Sequence, residues 1–492
     1  MLKDHRIVTL TRVEEEIQSS QPGIHRRSRP SATMWHLTLL SGDYVLLIAC
    51  LFFALLTHHH LKLVVLGYTL GALPSKIVIA CFALIAWGIS ANILRAQELV
   101  YASSRLRNLL SVLFAFALTS LFWMLAVSPF VVSVTPYLQV VVYFLAASVP
   151  TLCLWRLILA KILSLPRYRQ QAVILGASPA GAIIAAELRK ARHPIADVLG
   201  YVSEDSSEQT SKDEAFRFLG DKKTLRLLAR NGAIDIIIMA IDYRESPALF
   251  QEALEAAQLG IPVLPMARVY ESTCGKIPVE HIGDQWFVTL PAEQVFSLPY
   301  LFWRKILDLT FGLVGLLALL ILFPVVAAAI SIDSPGPIFY RQERLGYRGK
   351  PFLVLKFRSM RLDAESVGQA VWAAKNDMRT TRVGRFLRAT HLDELPQVIN
   401  ILRGDMALIG PRPERKVFVT ELEKTIPFYR CRLSVKPGLT GWAQVKYPYT
   451  SSGHEALIKL QYDLYYVKHQ SVTIDVLILL KTVVEVLLCH GR

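Results

Sequence analysis

The sequence predicts a membrane protein of mixed α plus α/β class. It divides into a four-helix transmembrane domain, a Rossmann-like α/β domain on the cytosolic side, and a C-terminal monotopic domain entered through a re-entrant membrane helix. Three observations carry this. Hydrophobic residues form 53% of the 492-residue chain and charged residues 19%, at a mean hydropathy of +0.38, a balance that excludes disorder and argues against a purely soluble protein. Long apolar runs occur in the first and last thirds of the chain, with an alternating strand and helix pattern between them. The net charge of +15 is uneven: residues 1–170 hold 15 Lys/Arg against 6 Asp/Glu, residues 171–300 hold 12 against 17, and residues 301–492 hold 27 against 16. Basic charge beside apolar runs points to a membrane with anionic lipid before nucleic acid. No nucleic-acid reading element is present. The six cysteines are scattered without a C-x-x-C pair, so neither a disulfide framework nor a zinc site is expected.

Residues 1–34 form a polar, arginine-rich tail too long to precede a signal peptide's apolar region. The first span runs from Trp35 to Thr57, and three more are expected near 74–94, 109–128 and 137–163, each near the roughly 20 residues a spanning helix needs. The stretch 61–73, with Gly67 and Gly71, reads as a loop or interfacial piece. Arginines crowd the tail, the second loop (Arg95, Arg105, Arg107) and the exit of the fourth span (Arg167, Arg169), whereas the other two connections carry only Lys62 and Lys76. By the positive-inside rule both ends of this 35–164 domain are cytosolic. The His58–His60 triplet falls on the far side as a polar cap.

From Gln171 the pattern becomes doubly wound α/β, covering 170–268, with a connector over 269–300. Strands are expected at Ala172–Leu175, Val198–Val202, Ile234–Ile241 and Ile261–Leu264, with helices through Lys190 and over 247–259. The loop Gly176–Gly181 resembles a dinucleotide fingerprint. Its middle glycine, needed for close approach of a pyrophosphate, is replaced by Ser178 with Pro179 following. Glu204-Asp205 stands at ribose distance, so a nucleotide remains open, but a structural or regulatory domain is the expectation.

Ile306–Ile330 is a fifth apolar run, interrupted by Pro324. Hydropathy alone fits a kinked span or a helix, about 302–331, that bends at the proline and returns to the same side. The phosphate-binding character of the residues beyond favours the return. Arg304, Lys305 and Asp308 at its mouth are expected either to anchor the helix through i,i+3 and i,i+4 pairs or to hold a lipid phosphate.

The densest chemistry lies in 375–415. Arg379, Arg382, Arg385 and Arg388 recur every three residues, a helical face that is either solvated charge or an anion site. Pro396 is expected in the first turn of a helix ending at Gly404, placing Asp393 and Glu394 at its start. An ionised Asp there can attack phosphorus, and the adjacent Glu can hold a Mg²⁺ that neutralises a diphosphate. Capping alone would also explain the pair. Pro411 and Pro413 fix the backbone around Arg412, which suits a guanidinium aimed at phosphate, and Lys356 and Arg358 share a face of an expected strand, Leu353–Met360.

Lys356-Phe-Arg-Ser-Met360, Gly384-Arg-Phe-Leu-Arg388, Leu392-Asp-Glu-Leu-Pro-Gln397, Gly410-Pro-Arg-Pro-Glu414 and Lys436-Pro-Gly-Leu-Thr-Gly-Trp-Ala-Gln444 together resemble the polyprenyl-phosphate hexose-1-phosphate transferases over residues 301–492. The first half resembles the N-terminal part of the family's large members. The resemblance implies a catalytic C-terminal domain on the cytosolic face of a bacterial inner membrane. It implies attack by Asp393 on a UDP-hexose (glucose or galactose) with release of UMP, then transfer to undecaprenyl phosphate. It further implies Mg²⁺ at Glu394, a nucleotide contact from the Pro411-Arg412-Pro413 loop, and a possible homodimer; by charge and placement Lys356, Arg358, Arg382 and Arg385 are the other expected nucleotide or phosphate contacts. The family's helix break is commonly Ser-Pro; here it is Phe323-Pro324. Two other readings stand beside it. A membrane-anchored nucleotide-sugar dehydratase or epimerase needs an intact glycine loop and a Y-x-x-x-K pair, which the chain lacks. A non-catalytic scaffold of a polysaccharide export system gives no reason for the carboxylates beside Pro-Arg-Pro.

Overall fold

The computed structural model describes residues 32–66, 134–163, 169–191, 196–204, 216–241, 246–281, 298–361, 379–447 and 453–487, with Leu165 and scattered positions between 84 and 120. They fall into two compact units, Met1–Cys274 and Gly275–Arg492.

In the first unit, helices α1 (Ala32–Leu66) and α2 (Val134–Leu163) pack together. Their apolar windows, Leu37–Ala54 and Val142–Ile162, are long enough to cross a membrane. Most of the spans expected at 74–94 and 109–128 lies outside the described residues. The helical positions Trp87 and Phe116 bring their rings to 4.7 Å. Helix α1 does not stop at Thr57: it continues through His58–His60 to Leu66, so the expected loop starts later. No proline or glycine interrupts the chain from Tyr44 to Leu66, and nothing local ends the helix sooner. Arg156 of α2 pairs with Asp43 of α1, both almost wholly buried. Charges removed from water this completely persist only as a pair.

The α/β domain follows with β1 (Gln170–Leu175), α3 (Pro179–Lys190), β2 (Ala196–Val202), β3 (Phe218–Gly220), α4 (Lys222–Arg230), β4 (Ile236–Met239), α5 (Pro247–Gln258), β5 (Val263–Pro265) and α6 (Met266–Cys274). Five parallel strands run in the order β3-β2-β1-β4-β5. Ala172–Leu175 in β1 are fully buried, because helices cover both faces: Ile184, Leu188, Val269 and Tyr270 on one, Leu225, Leu228, Leu249 and Ala253 on the other. Tyr270 and Val269 therefore belong to this core. The expected connector from residue 269 begins later, since α6 is part of the domain up to Cys274.

The second unit opens with a strap: Gly275 O accepts from Trp442 Nε1 at 2.7 Å, and Ile277 N donates to Gln461 O at 3.0 Å. Then come α7 (Leu298–Asp333), the antiparallel hairpin β6 (Phe339–Leu345) and β7 (Pro351–Phe357), and α8 (Arg382–Ala389). A 3₁₀ turn (Leu392–Gln397) leads into α9 (Val398–Arg403). The parallel pair β8 (Ala407–Ile409) and β9 (Gly438–Thr440) brackets α10 (Lys416–Thr425), and α11 (Trp442–Lys446), α12 (Gly453–Lys468) and α13 (Val472–Leu487) complete the fold.

Helix α7 is a third helix long and apolar enough to span, yet it is braced along its whole length by its own unit. Tyr300 bonds Asp475 of α13 at 3.0 Å. A Cβ on Gly312 would lie 2.6 Å from Leu402, and one on Gly315 2.5 Å from Val398, so these glycines let α7 and α9 approach closely. Leu319, Val326 and Ile330 share a core with Phe357 and Leu387, and Asp333 accepts from Val383 N at 2.8 Å. The opposite side exposes Leu313, Val314, Leu317, Leu320, Ile321 and Val325. Pro324 does not end the helix. Phe323 stacks on Phe339 at 5.6 Å, which stacks on Phe357 at 5.5 Å.

Candidate active site

Asp393 and Glu394 lie inside the 3₁₀ turn rather than ahead of an α-helix. His391, in the left-handed region at φ 59°, turns the chain out of α8 and into it. Pro396 sits within the turn, not in the first turn of α9, which starts at Val398. Asn400 of α9 is fully buried. It donates from Nδ2 to Leu353 O at 2.8 Å and accepts from Leu355 N at 3.1 Å, so it meets the backbone of β7 as a strand would. That fixes Lys356 beside the turn.

Lys356 Nζ donates to Glu394 Oε1 at 2.6 Å, and Arg412 donates to the same oxygen at 2.5 Å and to Oε2 at 3.3 Å. Burial alone would raise the Glu394 pKa, but Arg412 and then Lys356 outweigh it and hold the carboxyl far below the usual range. Asp393 differs. It is 8% exposed, and no described side chain or amide hydrogen-bonds its carboxylate. Burial, then the adjacent Glu394, push its pKa up, against the fields of Lys356, Arg388 and Arg412. Two neighbouring carboxylates thus have opposite environments, one ion-paired and locked, the other desolvated and unbonded. That contrast separates a structural role from a reactive one.

The Pro411-Arg412-Pro413 loop is pinned from behind. Gly410 N donates to Thr440 O at 2.8 Å and Gly438 N to Pro411 O at 2.9 Å. Arg432 donates to Arg412 O at 3.0 Å and pairs with buried Asp463 at 2.7 Å, while Arg344 donates to Pro413 O at 2.9 Å. Sequence reasoning did not find Asn400, Arg344, Arg432 or Asp463. The one available signal was a carboxylate among apolar neighbours in Leu460–Val467.

Several expected site residues stand elsewhere. Arg358, just beyond β7, is buried and donates to Ser334 O and to Pro335 O at 3.0 Å, which latches the end of α7. Arg304 donates to Ile409 O at 2.5 Å and to Gln470 at 3.2 Å, and Asp308 accepts from Leu408 N at 2.7 Å. These two bond to β8 and to the link between α12 and α13 rather than to each other, so the expected i,i+4 pair is not formed, and Lys305 is exposed. Arg382 and Arg385 lie on α8 facing a separate cleft with Asp333. In the first unit, Ser178 caps α3 through Gly181 N at 3.2 Å and donates to Ala240 O at 2.7 Å, and Ile241 packs over Gly176. Among the described residues these groups occupy the glycine loop at the β1–β4 edge, where a nucleotide would approach.

The profile of the family described as Bacterial sugar transferase matches residues 299–489, and that of a CoA-binding domain matches 98–264. The UDP-glucose:undecaprenyl-phosphate glucose-1-phosphate transferase of Klebsiella pneumoniae is 32% identical over 324 residues, 64% of this chain and 67% of its own length. The chain belongs to the bacterial sugar transferase family. Another sugar transferase, the UDP-N-acetylgalactosamine-undecaprenyl-phosphate N-acetylgalactosaminephosphotransferase of Aeromonas hydrophila, is 37% identical over 231 residues, 47% of this chain and 53% of its own length. A Bacillus subtilis protein described as a putative undecaprenyl-phosphate N-acetylgalactosaminyl 1-phosphate transferase is 49% identical over 134 residues, 27% of this chain and 74% of its own. The matched region thus spans about half the length of the Aeromonas sugar transferase.

Proposed function

We propose that this chain transfers a sugar-1-phosphate from a UDP-hexose or UDP-N-acetylhexosamine to undecaprenyl phosphate, releasing UMP, as the first membrane step of polysaccharide assembly. The observation that carries the reading is Asp393, desolvated and unbonded beside a Glu394 locked by Lys356 and Arg412. Glucose and N-acetylgalactosamine are the sugars in the relatives' names; none of those names carries the alternative expectation, galactose.

In the first step an Asp393 carboxylate oxygen attacks the β-phosphorus. The bond from that phosphorus to the bridging oxygen breaks, and the electron pair leaves with UMP. In the second step an oxygen of undecaprenyl phosphate attacks the same phosphorus, the bond to Asp393 breaks, and the carboxylate is restored. Both nucleophiles are anions, so neither step needs a general base. Desolvation makes the Asp393 carboxylate a better nucleophile than a hydrated one. Lys356, Arg388 and Arg412 stabilise negative charge as it moves between oxygens.

Three cations against two carboxylates leave the site one positive charge in surplus, less than a diphosphate brings. Glu394 has both oxygens engaged, with room on Oε2 for one further ligand. Glu394 is the residue that would hold a Mg²⁺, as a single carboxylate in competition with the Lys356 and Arg412 donors already on its oxygens. When bound, the ion would neutralise the diphosphate and favour UMP departure.

The re-entrant reading of α7 rests on the two ends of this 36-residue helix being held by one and the same unit, at Tyr300 and at Asp333. The catalytic unit would then face the cytosol. The deciding experiment incubates purified full-length protein with Mg²⁺, undecaprenyl phosphate and a panel of UDP-sugars and follows UMP. Release dependent on one sugar and abolished in Asp393→Asn supports the proposal. UMP release retained by that variant overturns the nucleophile assignment.

A further inference from the structure

At the C-terminal end of α7 lies a cleft of about 990 Å³, apart from the Glu394 cluster. Its cationic lining is Arg361, Arg382 and Arg385, from two different chain segments and all exposed. Its apolar wall is Ala329 and Ile332 of the membrane helix, with Ile332 87% exposed. Asp333 is the one acid in the lining, and it is already committed: it accepts from Val383 N at 2.8 Å and bonds the Thr381 hydroxyl. Thr381 in turn caps Gly384 N at 3.0 Å. The first amides of α8 are thus satisfied internally, and what the cleft offers a ligand is guanidinium groups beside an apolar wall.

We infer that this cleft is the entry site for the acceptor, binding a phosphate monoester carried on an apolar chain. Among the described residues, three arginines against one carboxylate leave two positive charges, which match the roughly −1.5 to −2 of a phosphate monoester near neutral pH. A phosphodiester headgroup, with one charge, matches less well. The apolar chain of such a lipid lies along Ala329, Ile332 and the exposed side of α7, while its phosphate meets Arg382 and Arg385. The same helix leads onward: Arg388, one turn beyond Arg385, directs its field at Asp393. From Arg382 to Arg388 the rise along α8 is about 9 Å, so an acceptor phosphate passes from the lipid edge toward the nucleophile along one row of arginines.

This inference rests on the transferase reading for its biological meaning but not for its test. Full-length protein in phosphatidylcholine nanodiscs, without nucleotide sugar, is titrated with farnesyl phosphate and followed by calorimetry. The paired substitution Arg382→Ala/Arg385→Ala should weaken binding about tenfold or more, as loss of charge-assisted contacts does, and Arg382→Lys/Arg385→Lys should recover most of it. Inorganic phosphate at matched concentration should compete poorly, because it lacks the chain that meets Ile332. Equal affinity of the paired alanine variant and the original protein would overturn the site. An equal loss for inorganic phosphate would make it a free-phosphate site, and an equal loss for phosphatidylglycerol a general headgroup contact; either overturns the acceptor assignment. Because no turnover is measured, absence of sugar transfer would sink the proposed activity and leave this binding result standing.

Discussion

Two loops in this chain look built for phosphate, and they are opposites in structure. The glycine-bearing loop Gly176–Gly181 has the outline of a nucleotide cradle, yet Ser178 spans the crevice to Ala240 O and Ile241 fills the space over Gly176. The loop Gly410–Glu414 carries no such fingerprint. Its backbone is pinned by β9, Arg432 and Arg344, and its arginine reaches across to a carboxylate that a lysine also holds. Glycine spacing reports backbone freedom, whereas a phosphate site needs unspent donors and an open approach. The second loop has both, since the Arg412 side chain stays 39% exposed.

The predictions test that contrast from its strongest point outward. Asp393→Asn should abolish transfer, with UMP release falling to background while the protein still inserts and folds. Acidification should act the same way. The raised pKa of Asp393, from burial and then Glu394, means the carboxylate is lost as pH falls through a value above the ordinary 3.8. The linkage to stability has the opposite sign. A carboxyl with a raised folded pKa contributes stability below its unfolded pKa, and that contribution is lost as pH rises through the folded value. Asp393→Asn should therefore be no less heat-stable than the original chain at pH 7, checked by thermal unfolding.

Arg412→Ala removes a donor aimed at developing phosphate charge and should lower kcat about 10² to 10³-fold, with partial recovery in Arg412→Lys. Asn400→Leu should cost about 2–4 kcal/mol, because Leu353 O and Leu355 N lose their partner in a buried place. Chemical denaturation of the residue 275–492 chain would measure it. A chain starting at residue 299 should be less stable than one starting at 275, since it lacks the Gly275–Ile277 strap. Ser178→Ala, at the other loop, should leave sugar transfer unchanged and shift unfolding of the α/β domain slightly. A large fall in turnover would show that the two loops are coupled after all.

Much of this contrast was legible beforehand. The strand and helix alternation around β1 already pointed to an α/β domain, and Ser178 in place of a glycine marked its loop as a departure from the dinucleotide fingerprint. The Asp393-Glu394 pair and Pro-Arg-Pro were visible as motifs. What could not be read was which cations meet which carboxylate. Arg358 and Lys356 have the same strand parity, but one closes on Ser334 and Pro335 and the other on Glu394. Periodicity assigns a face, not a partner. The 3₁₀ turn was equally hidden, because Pro396 is tolerated in either kind of first turn. Asn400, beside Arg403 in a six-residue helix, carried no such signal, and only the nearby edge of β7 gives it a purpose.

Helix α7 carries one more implication. The side of it that lipid would hold is continuous with the side that holds the site: Arg304 and Asp308 bond the backbone of β8 next to Arg412, and Gly312 and Gly315 seat α9 next to Glu394. Where that helix enters and returns on one face, bilayer thickness sets how deeply it sits, at modest cost per ångström of mismatch. A change of depth would then act as shear between the two halves of the Glu394–Arg412 contact. Bilayer thickness would enter the rate as a mechanical variable, measurable by reconstituting the same protein in lipids of graded chain length.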